Sequence, residues 1–233
     1  MTEKRNDFRI LVSIPTERNV NALAFWPFME IARQGWDFLE MPYTMTPVAR
    51  NKMAMDALTG NYDALVMLDS DMIHPKDVVQ RLARWAISDK SRQVIGGLGF
   101  RRGAPFDPCA FILNDEDKMC ALHEWPQGLV KVDVVGFAAV LICREVFAQI
   151  ERPWFEYKWL DGDTMMSEDV VFCRKCREKG IPVYVDTTII SGHLVDALVD
   201  EKAYRSFMKT QSPGEPLTRT TEVWEEKEKE NAS

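Results

Sequence analysis

The feature of this sequence that most limits its fold is a short apolar run that stops at an acidic triplet and is followed by a helix. Residues 64–68, Ala-Leu-Val-Met-Leu, are apolar at every position, which is typical of a strand buried on both faces. Asp69-Ser70-Asp71 follows directly, and Pro75 opens a predicted helix. The inner face of that helix carries Val78, Val79, Leu82, Ala83 and Ala86. A strand, an acidic loop and a helix in this order predict a layered α/β protein.

The same alternation of elements continues along the chain. Residues 8–14 predict a first strand closed by Pro15, and Thr46 and Pro47 predict the cap and first turn of a helix that Gly60 ends. Further strands are predicted at residues 93–96, 110–113, 129–135, 138–142 and 183–185. Further helices are predicted at residues 144–150 and from a Ser167 cap to Lys179 and Gly180.

Length and composition favour one core. A chain of 233 residues with 46% hydrophobic content suits a single domain, which we place at residues 1–210. Residues 211–233 are rich in Pro, Thr, Glu and Lys, and predict a mobile or solvated tail. No apolar run reaches the roughly 20 residues of a membrane span, so none is expected. The five cysteines are odd in number and scattered, which favours reduced thiols and a cytoplasmic location.

The net charge limits the kinds of ligand. At −7 it makes a broad nucleic-acid-binding surface unfavourable. A phosphate-bearing small molecule remains compatible, because a metal ion can neutralise it locally. Asp69 and Asp71 come at the carboxyl end of a predicted buried strand, where open α/β sheets bind ligands, and their carboxylates suit a hard cation. The triplet alone is equally compatible with a solvated loop that caps the next helix.

Six segments between residues 8 and 195 carry the chemistry-bearing residues in a characteristic order. They are Val12-Ser13-Ile14-Pro15-Thr16, Ala49-Arg50-Asn51, Leu68-Asp69-Ser70-Asp71-Met72, Val134-Val135-Gly136-Phe137, Ser167-Glu168-Asp169-Val170 and Gly192-His193. Together they resemble the glycosyltransferase A fold, especially its family-two-like members with a DxD motif. The resemblance implies a single mixed-sheet domain of the Rossmann-like, nucleotide-diphospho-sugar transferase type.

The resemblance also implies roles for individual residues. In that family the second Asp of DxD binds a metal that bridges the donor diphosphate, so Asp71 is the implied ligand of Mn²⁺ or Mg²⁺. His193 is implied as a further ligand, with Asp69 assisting at the metal or the ribose. The residues implied to contact the nucleotide-sugar are Pro15, Thr16, Glu17, Arg50, Asn51, Asp69, Ser70 and Arg101.

In that family, a carboxylate in the later part of the sequence acts on the acceptor, and the resemblance implies this role for Glu168 or Asp169. We favour Asp169 as the general base that takes the proton of the acceptor hydroxyl. Acidic residues in a first helical turn also stabilise the helix dipole, so a purely structural role is an alternative for both.

Structural alternatives apply to the other candidates as well. A lone histidine after a strand, such as His193, often serves the fold alone. Arg50 and Asn51 are compatible with an exposed first-turn pair, and Arg101 and Arg102 with a solvated basic pair instead of a diphosphate contact.

The expected function is metal-dependent transfer of a sugar from a nucleotide-diphosphate donor, with a UDP-sugar favoured, to an unidentified hydroxyl acceptor. Inversion and retention of the anomeric centre remain alternatives. A nucleotidyltransferase is a second hypothesis, although it usually has a Gly-rich basic loop where this chain has Pro15-Thr16-Glu17-Arg18. A non-catalytic nucleotide-sugar-binding protein is a third.

Overall fold

The computed structural model describes residues 8–16, 20–42, 44–103, 106–115, 118–162 and 164–195. Glu17, the predicted domain end at residue 210 and the predicted tail at residues 211–233 lie outside the described residues. The helices are α1 (Ala22–Ala32), α2 (Thr46–Thr59), α3 (Val78–Ser88), α4 (Arg144–Gln149) and α5 (Glu168–Glu178). The strands are β1 (Ile10–Thr16), β2 (Asp37–Pro42), β3 (Ala64–Leu68), β4 (Met72–Ile73), β5 (Val94–Leu98), β6 (Ala110–Leu113), β7 (Met119–Ala121), β8 (Leu129–Val132), β9 (Val134–Val135), β10 (Ala139–Cys143), β11 (Lys158–Asp161), β12 (Thr164–Met166), β13 (Val183–Ile190) and β14 (Gly192–His193).

A mixed sheet of seven strands organises the described part of the chain, in the order β2-β1-β3-β10-β5-β13-β8. Strand β1 pairs in parallel with β2 and β3, and β5 pairs in parallel with β13. Strand β10 lies antiparallel between β3 and β5, and β8 lies antiparallel to β13. Three small sheets, β7-β6-β9, β11-β12 and β14-β4, accompany it. This architecture confirms the predicted α/β mixed-sheet fold class.

Helices cover both faces of the central sheet. Leu65 and Met67 of β3 point into an apolar layer shared with α2, α4 and α5, whereas Val66 and Leu68 point into a second layer shared with α1 and α3. All residues of β3 are at most 1% exposed. Full burial of such a side chain contributes about 1.5–3 kcal/mol, which explains why the strand is apolar at every position.

Several predicted boundaries are wrong by a few residues, for local reasons. Pro15 lies inside β1, at a position where the strand pairs only with β2, so its missing N–H is tolerated. The cap of α2 is Met45, and Thr46 is already the first helical residue. Pro75 lies in a turn, with the Val78 N–H donating to its carbonyl at 3.0 Å, and α3 begins only at Val78.

The predicted strand at residues 129–135 is two strands in two different sheets. Strand β8 pairs with β13 in the central sheet, whereas β9 pairs with β6. At the break, the Asp133 carboxylate accepts the backbone N–H of Leu113 at 2.8 Å. Helix α1 and strand β2 were not predicted from the sequence. Among the described residues, no helix has the length and apolar character needed to cross a membrane.

Candidate functional site

The acidic triplet and His193 meet at the edge of the sheet where β3 ends. The Asp69 N–H donates to the Ala138 carbonyl at 2.9 Å, which fixes the start of the triplet against the neighbouring strand. Strand β4 then pairs antiparallel with β14, and this register places His193 opposite Met72. Residues 122 positions apart in the sequence, Asp71 and His193, therefore become neighbours. The ligand edge predicted from the sequence is the edge at which these side chains lie.

Asp71 and His193 form the first side-chain cluster of the site. Their Oδ2 and Nε2 atoms lie 3.2 Å apart. The His193 Nδ1 atom lies 2.8 Å from the Phe100 carbonyl oxygen, which only accepts hydrogen bonds, so Nδ1 carries a proton. The Nε2 lone pair is then free to accept, and it receives the Arg102 Nε–H at 2.7 Å. Arg102 Nη2 also contacts Asp71 Oδ2.

This cluster fits a divalent cation. Ligands at about 2.1 Å from a six-coordinate cation lie roughly 3 Å from one another, close to the 3.2 Å between Asp71 Oδ2 and His193 Nε2. The histidine tautomer presents a lone pair, with its other nitrogen held by a carbonyl, as metal-bound histidines are. Among the described residues there is no group of three or more His, Cys, Asp or Glu side chains that could hold a metal. Asp71 and His193 could serve as two ligands of such a cation, with water and phosphate oxygens as the others.

Arg50 is the centre of a second, buried cluster. Its side chain is 3% exposed, and its Nη2 and Nη1 atoms lie 2.9 Å from Asp69 Oδ1 and 2.9 Å from Glu168 Oε1. The guanidinium carbon lies 5.0 Å from the centre of the Phe137 ring. Burial lowers the pKa of Arg50, but the charges of Asp69 and Glu168 raise it, and the net change is upward. A permanent cation therefore joins α2, the end of β3 and the start of α5.

Asp69 links the two clusters along the chain. The pKa of its carboxyl is raised to about 6; burial is the main cause, Arg50 opposes the rise, and the charges of Asp71 and Glu168 contribute to it. Its side chain is nevertheless 29% exposed, so it borders the solvent-accessible edge of the site. Because Oδ1 is engaged by Arg50, Asp69 anchors the triplet while Asp71 is directed toward His193.

The two predicted catalytic carboxylates have different surroundings. Glu168 is buried and paired with Arg50; burial raises the pKa of its carboxyl, and Arg50 lowers it. Asp169 is half-buried, and its Oδ1 accepts the Ser167 hydroxyl and the Val170 N–H, the latter at 2.8 Å. Ser167 occupies the cap position of α5, yet no hydrogen bond from a backbone N–H to its side chain caps the helix. Of the two carboxylates, Asp169 is the one that is not paired with Arg50.

A buried histidine that sequence reasoning missed connects the triplet to the end of β13. His74 is 3% exposed, and burial lowers its pKa to about 4, so the ring is neutral at physiological pH. Its Nε2 lies 3.0 Å from the Asp69 carbonyl oxygen and therefore donates to it. Its Nδ1 then accepts the Ser191 hydroxyl at 3.0 Å. Ser191 lies two residues before His193, so His74 ties together the two segments that carry the first cluster.

Asn51 lies next to Arg50 in α2, but its side chain forms its hydrogen bonds within the fold. Its Nδ2 donates to the carbonyls of Pro47 and Phe155, both at 2.7 Å. Its Oδ1 accepts the N–H groups of Trp154 at 3.0 Å and Phe155 at 3.4 Å. All hydrogen-bonding groups of this amide are used, so Asn51 anchors residues 154–155 to α2.

The other predicted nucleotide-binding residues follow or end strands of the central sheet: Pro15 and Thr16 end β1, Ser70 follows β3, and Arg101 follows β5. Thr16 is buried at the end of β1 and donates to Glu40 Oε1 at 2.9 Å, next to the half-buried Pro15. Ser70 is half-buried between the two aspartates of the triplet. The guanidinium of Arg101 lies 5.6 Å from the centre of the Phe111 ring, so it stacks on the protein and does not join the cluster of Asp71.

Comparisons with known proteins agree with this architecture. No family model matches the chain, and no curated protein matches it. The crystal structure of A197 from STIV is similar, with a TM-score of 0.59 and 19% identity over 81% of this chain and 86% of that chain. The crystal structure of GalNAc-T7 with UDP, GalNAc and Mn²⁺ is similar with a TM-score of 0.52 and 12% identity, over 97% of this chain and 55% of that chain. This chain thus spans about half of the GalNAc-T7 chain. The sheet order and these similarities show that the chain has a glycosyltransferase A-type fold.

Proposed function

We propose that this protein is a metal-dependent glycosyltransferase that moves a sugar from a nucleotide-diphosphate donor to a hydroxyl acceptor. Asp69-Ser70-Asp71 is its DxD motif, in a family-two-like arrangement, and a UDP-sugar is the favoured donor. The similarity to GalNAc-T7, whose structure contains UDP, GalNAc and Mn²⁺, supports this choice of donor and metal.

The pairing of Asp71 with His193 is the observation that carries the proposal. A carboxylate oxygen and an imidazole lone pair lie 3.2 Å apart at the carboxyl edge of a mixed sheet, where α/β proteins bind phosphate ligands. The buried Arg50–Asp69–Glu168 cluster supports the proposal too, since it holds the triplet rigidly beside this pair.

The residues of the site have different roles in the proposed reaction. Asp71 and His193 would hold the cation, which would supply Lewis-acid stabilisation of the diphosphate leaving group. Asp169 takes the proton of the acceptor hydroxyl as that oxygen forms its bond to the anomeric carbon and the bond to the diphosphate breaks. Asp169 adjoins Glu168, which pairs with Arg50, and the charge of Asp169 contributes to the raised pKa of Arg50. Glu168, being paired with Arg50, positions the cluster and does not transfer the proton.

A thermal-shift screen tests the donor and the metal together. UDP-, GDP- and other nucleotide-sugars are added with Mn²⁺ or with excess EDTA, because a ligand that binds only the folded protein raises its melting temperature. We expect UDP-sugars to stabilise the protein in Mn²⁺ and not in EDTA. Stabilisation by a nucleoside triphosphate alone would favour a nucleotidyltransferase instead.

Release of UDP from the stabilising donor then tests turnover. Many transferases hydrolyse their donor slowly in the absence of an acceptor, so UDP formation is followed with and without a panel of hydroxyl acceptors. We expect UDP to form in Mn²⁺, and Asp169→Asn to reduce the acceptor-dependent rate. Metal-dependent binding without any UDP formation would contradict the enzyme proposal and identify a nucleotide-sugar-binding protein.

A further inference from the structure

Arg102 bonds to the same two atoms that the proposed function assigns to the cation. It lies in the loop after β5, its Nε donates to His193 Nε2 at 2.7 Å, and its Nη2 contacts Asp71 Oδ2. The side chain is 65% exposed. Among the described residues, its guanidinium bonds to these two side chains alone. A positive group of the protein therefore occupies the position between the two ligands.

Arg102 and a cation compete for this position. The imidazole Nε2 atom has one lone pair, which accepts either an N–H group or a metal ion. The Arg102 contact to His193 and a metal–His193 bond are thus mutually exclusive. A cation that binds here must displace the guanidinium, and the free energy of the two displaced contacts weakens metal binding by the same amount.

We propose that Arg102 is an internal counter-cation that holds Asp71 and His193 in the metal-free protein and moves onto the donor diphosphate when the metal binds. This inference rests on the proposed function. A guanidinium is suited to both states, since it forms paired hydrogen bonds with phosphate oxygens as well as with carboxylates. The diphosphate would bind the same cation, and the exposed Arg102 side chain lies at that position.

The exchange makes metal and donor binding cooperative. In the absence of a donor, Arg102 loses its two partners when the metal binds and gains none. With a donor present, the diphosphate gives the displaced guanidinium a new partner, so the donor strengthens metal binding. By reciprocity, the metal strengthens donor binding by the same factor. The loop residue Arg102, and not only the metal, then couples the two ligands.

Calorimetric titrations of Mn²⁺ and UDP test this exchange on the whole chain. Mn²⁺ is titrated alone and in the presence of saturating UDP, into wild type, Arg102→Gln and Arg92→Gln. Arg92 is the charge-matched control, because its ion pair is with Asp89 at the surface, between α3 and β5. We expect Arg102→Gln to bind Mn²⁺ alone roughly two- to fivefold more tightly, the change that loss of a competing exposed ion pair would produce.

The same variant should lose part of the coupling. In wild type, UDP should tighten Mn²⁺ binding, and in Arg102→Gln this effect should be smaller, because the metal alone then links the two ligands, whereas Arg92→Gln should resemble wild type. An unchanged Mn²⁺ affinity in Arg102→Gln, or an equal gain in Arg92→Gln, would overturn the exchange. If the Arg102 exchange fails but wild type still binds UDP only in the presence of metal, the proposed function is not contradicted. If wild type binds neither Mn²⁺ nor UDP, both proposals fail.

Discussion

Replacement of Arg50 by Met should destabilise the fold strongly. The substitution removes the cation that lies 2.9 Å from both Asp69 and Glu168, and it leaves two carboxylates in a largely buried position. Removing one partner of a buried ion pair lowers the free energy of unfolding by about 3–5 kcal/mol. Because Asp69 is 29% exposed and water can solvate it in part, we expect a loss near 3 kcal/mol at about pH 8. Adding Glu168→Gln to Arg50→Met should restore part of the loss, since it neutralises one of the two carboxylates.

The destabilisation should depend on pH. With Arg50 in place, burial already raises the pKa of Asp69 to about 6 and raises the pKa of Glu168. Without Arg50 both values rise further above those of the unfolded chain. A carboxyl whose pKa is higher in the folded protein adds stability below its unfolded pKa, and this stability is lost as the pH rises through the folded pKa. The loss in Arg50→Met should therefore be greatest at about pH 8 and should shrink toward about pH 5.

Urea unfolding followed by tryptophan fluorescence measures this effect. The experiments are done in EDTA, so that metal binding does not contribute to the free energy of unfolding. Arg92→Met serves as the control, because its ion pair with Asp89 lies at the surface, with the two side chains 29% and 42% exposed. Its loss should stay within about 1 kcal/mol. A loss below about 1 kcal/mol in Arg50→Met at pH 8, or one that grows as the pH falls, would refute the buried-cluster reasoning.

Two further predictions concern catalysis and the buried histidine. Asp169→Asn should keep donor binding but lower the rate of single-turnover transfer roughly a hundredfold to ten-thousandfold. Glu168→Gln should mainly lower the melting temperature. Near-normal transfer in Asp169→Asn, or a retaining product, would count against Asp169 as a general base. His74→Ala should reduce stability by about 1–3 kcal/mol, since it leaves the Asp69 carbonyl without its donor. It should also weaken Mn²⁺ binding, whereas His123→Ala, in an exposed loop, should change neither quantity. Equal Mn²⁺ affinity in both histidine variants would assign His74 to the core alone.

Some of the fold could be predicted because burial leaves a pattern in the sequence. Strand β3 is enclosed on both faces, so all of its residues are apolar and its ends are clear. Helix α1 carries no such pattern: Pro27 lies inside it, and its outer residues Leu23 and Trp26 are apolar although each is 64% exposed. Strand β2 lies at the edge of the sheet, half exposed, and ends in Pro42. Neither element shows the contrast between polar and apolar faces on which periodicity depends.

The sequence could predict which residues are candidates for the site, but not how close to one another they lie. Asp71 and His193 were predicted as metal ligands through the resemblance, but only the pairing of β4 with β14 brings them to 3.2 Å from one another. Arg50 and Asn51 looked equivalent in the sequence, yet successive helical residues point about 100° apart, so one meets the acidic cluster and the other meets Phe155. The role of His74 depends on a partner 117 residues away, which no local pattern records.

A calorimetric titration of a UDP-sugar into wild type and Asp71→Asn, each in Mn²⁺ and in excess EDTA, tests the metal bridge most directly. We expect tight binding only in wild type with Mn²⁺, because diphosphate and the aspartates repel one another unless a cation lies between them. Affinity should fall at least about tenfold on removal of either the metal or the Asp71 carboxylate, a difference of about 1.4 kcal/mol in binding free energy. Equal affinities in all four titrations would contradict a metal bridge at Asp71.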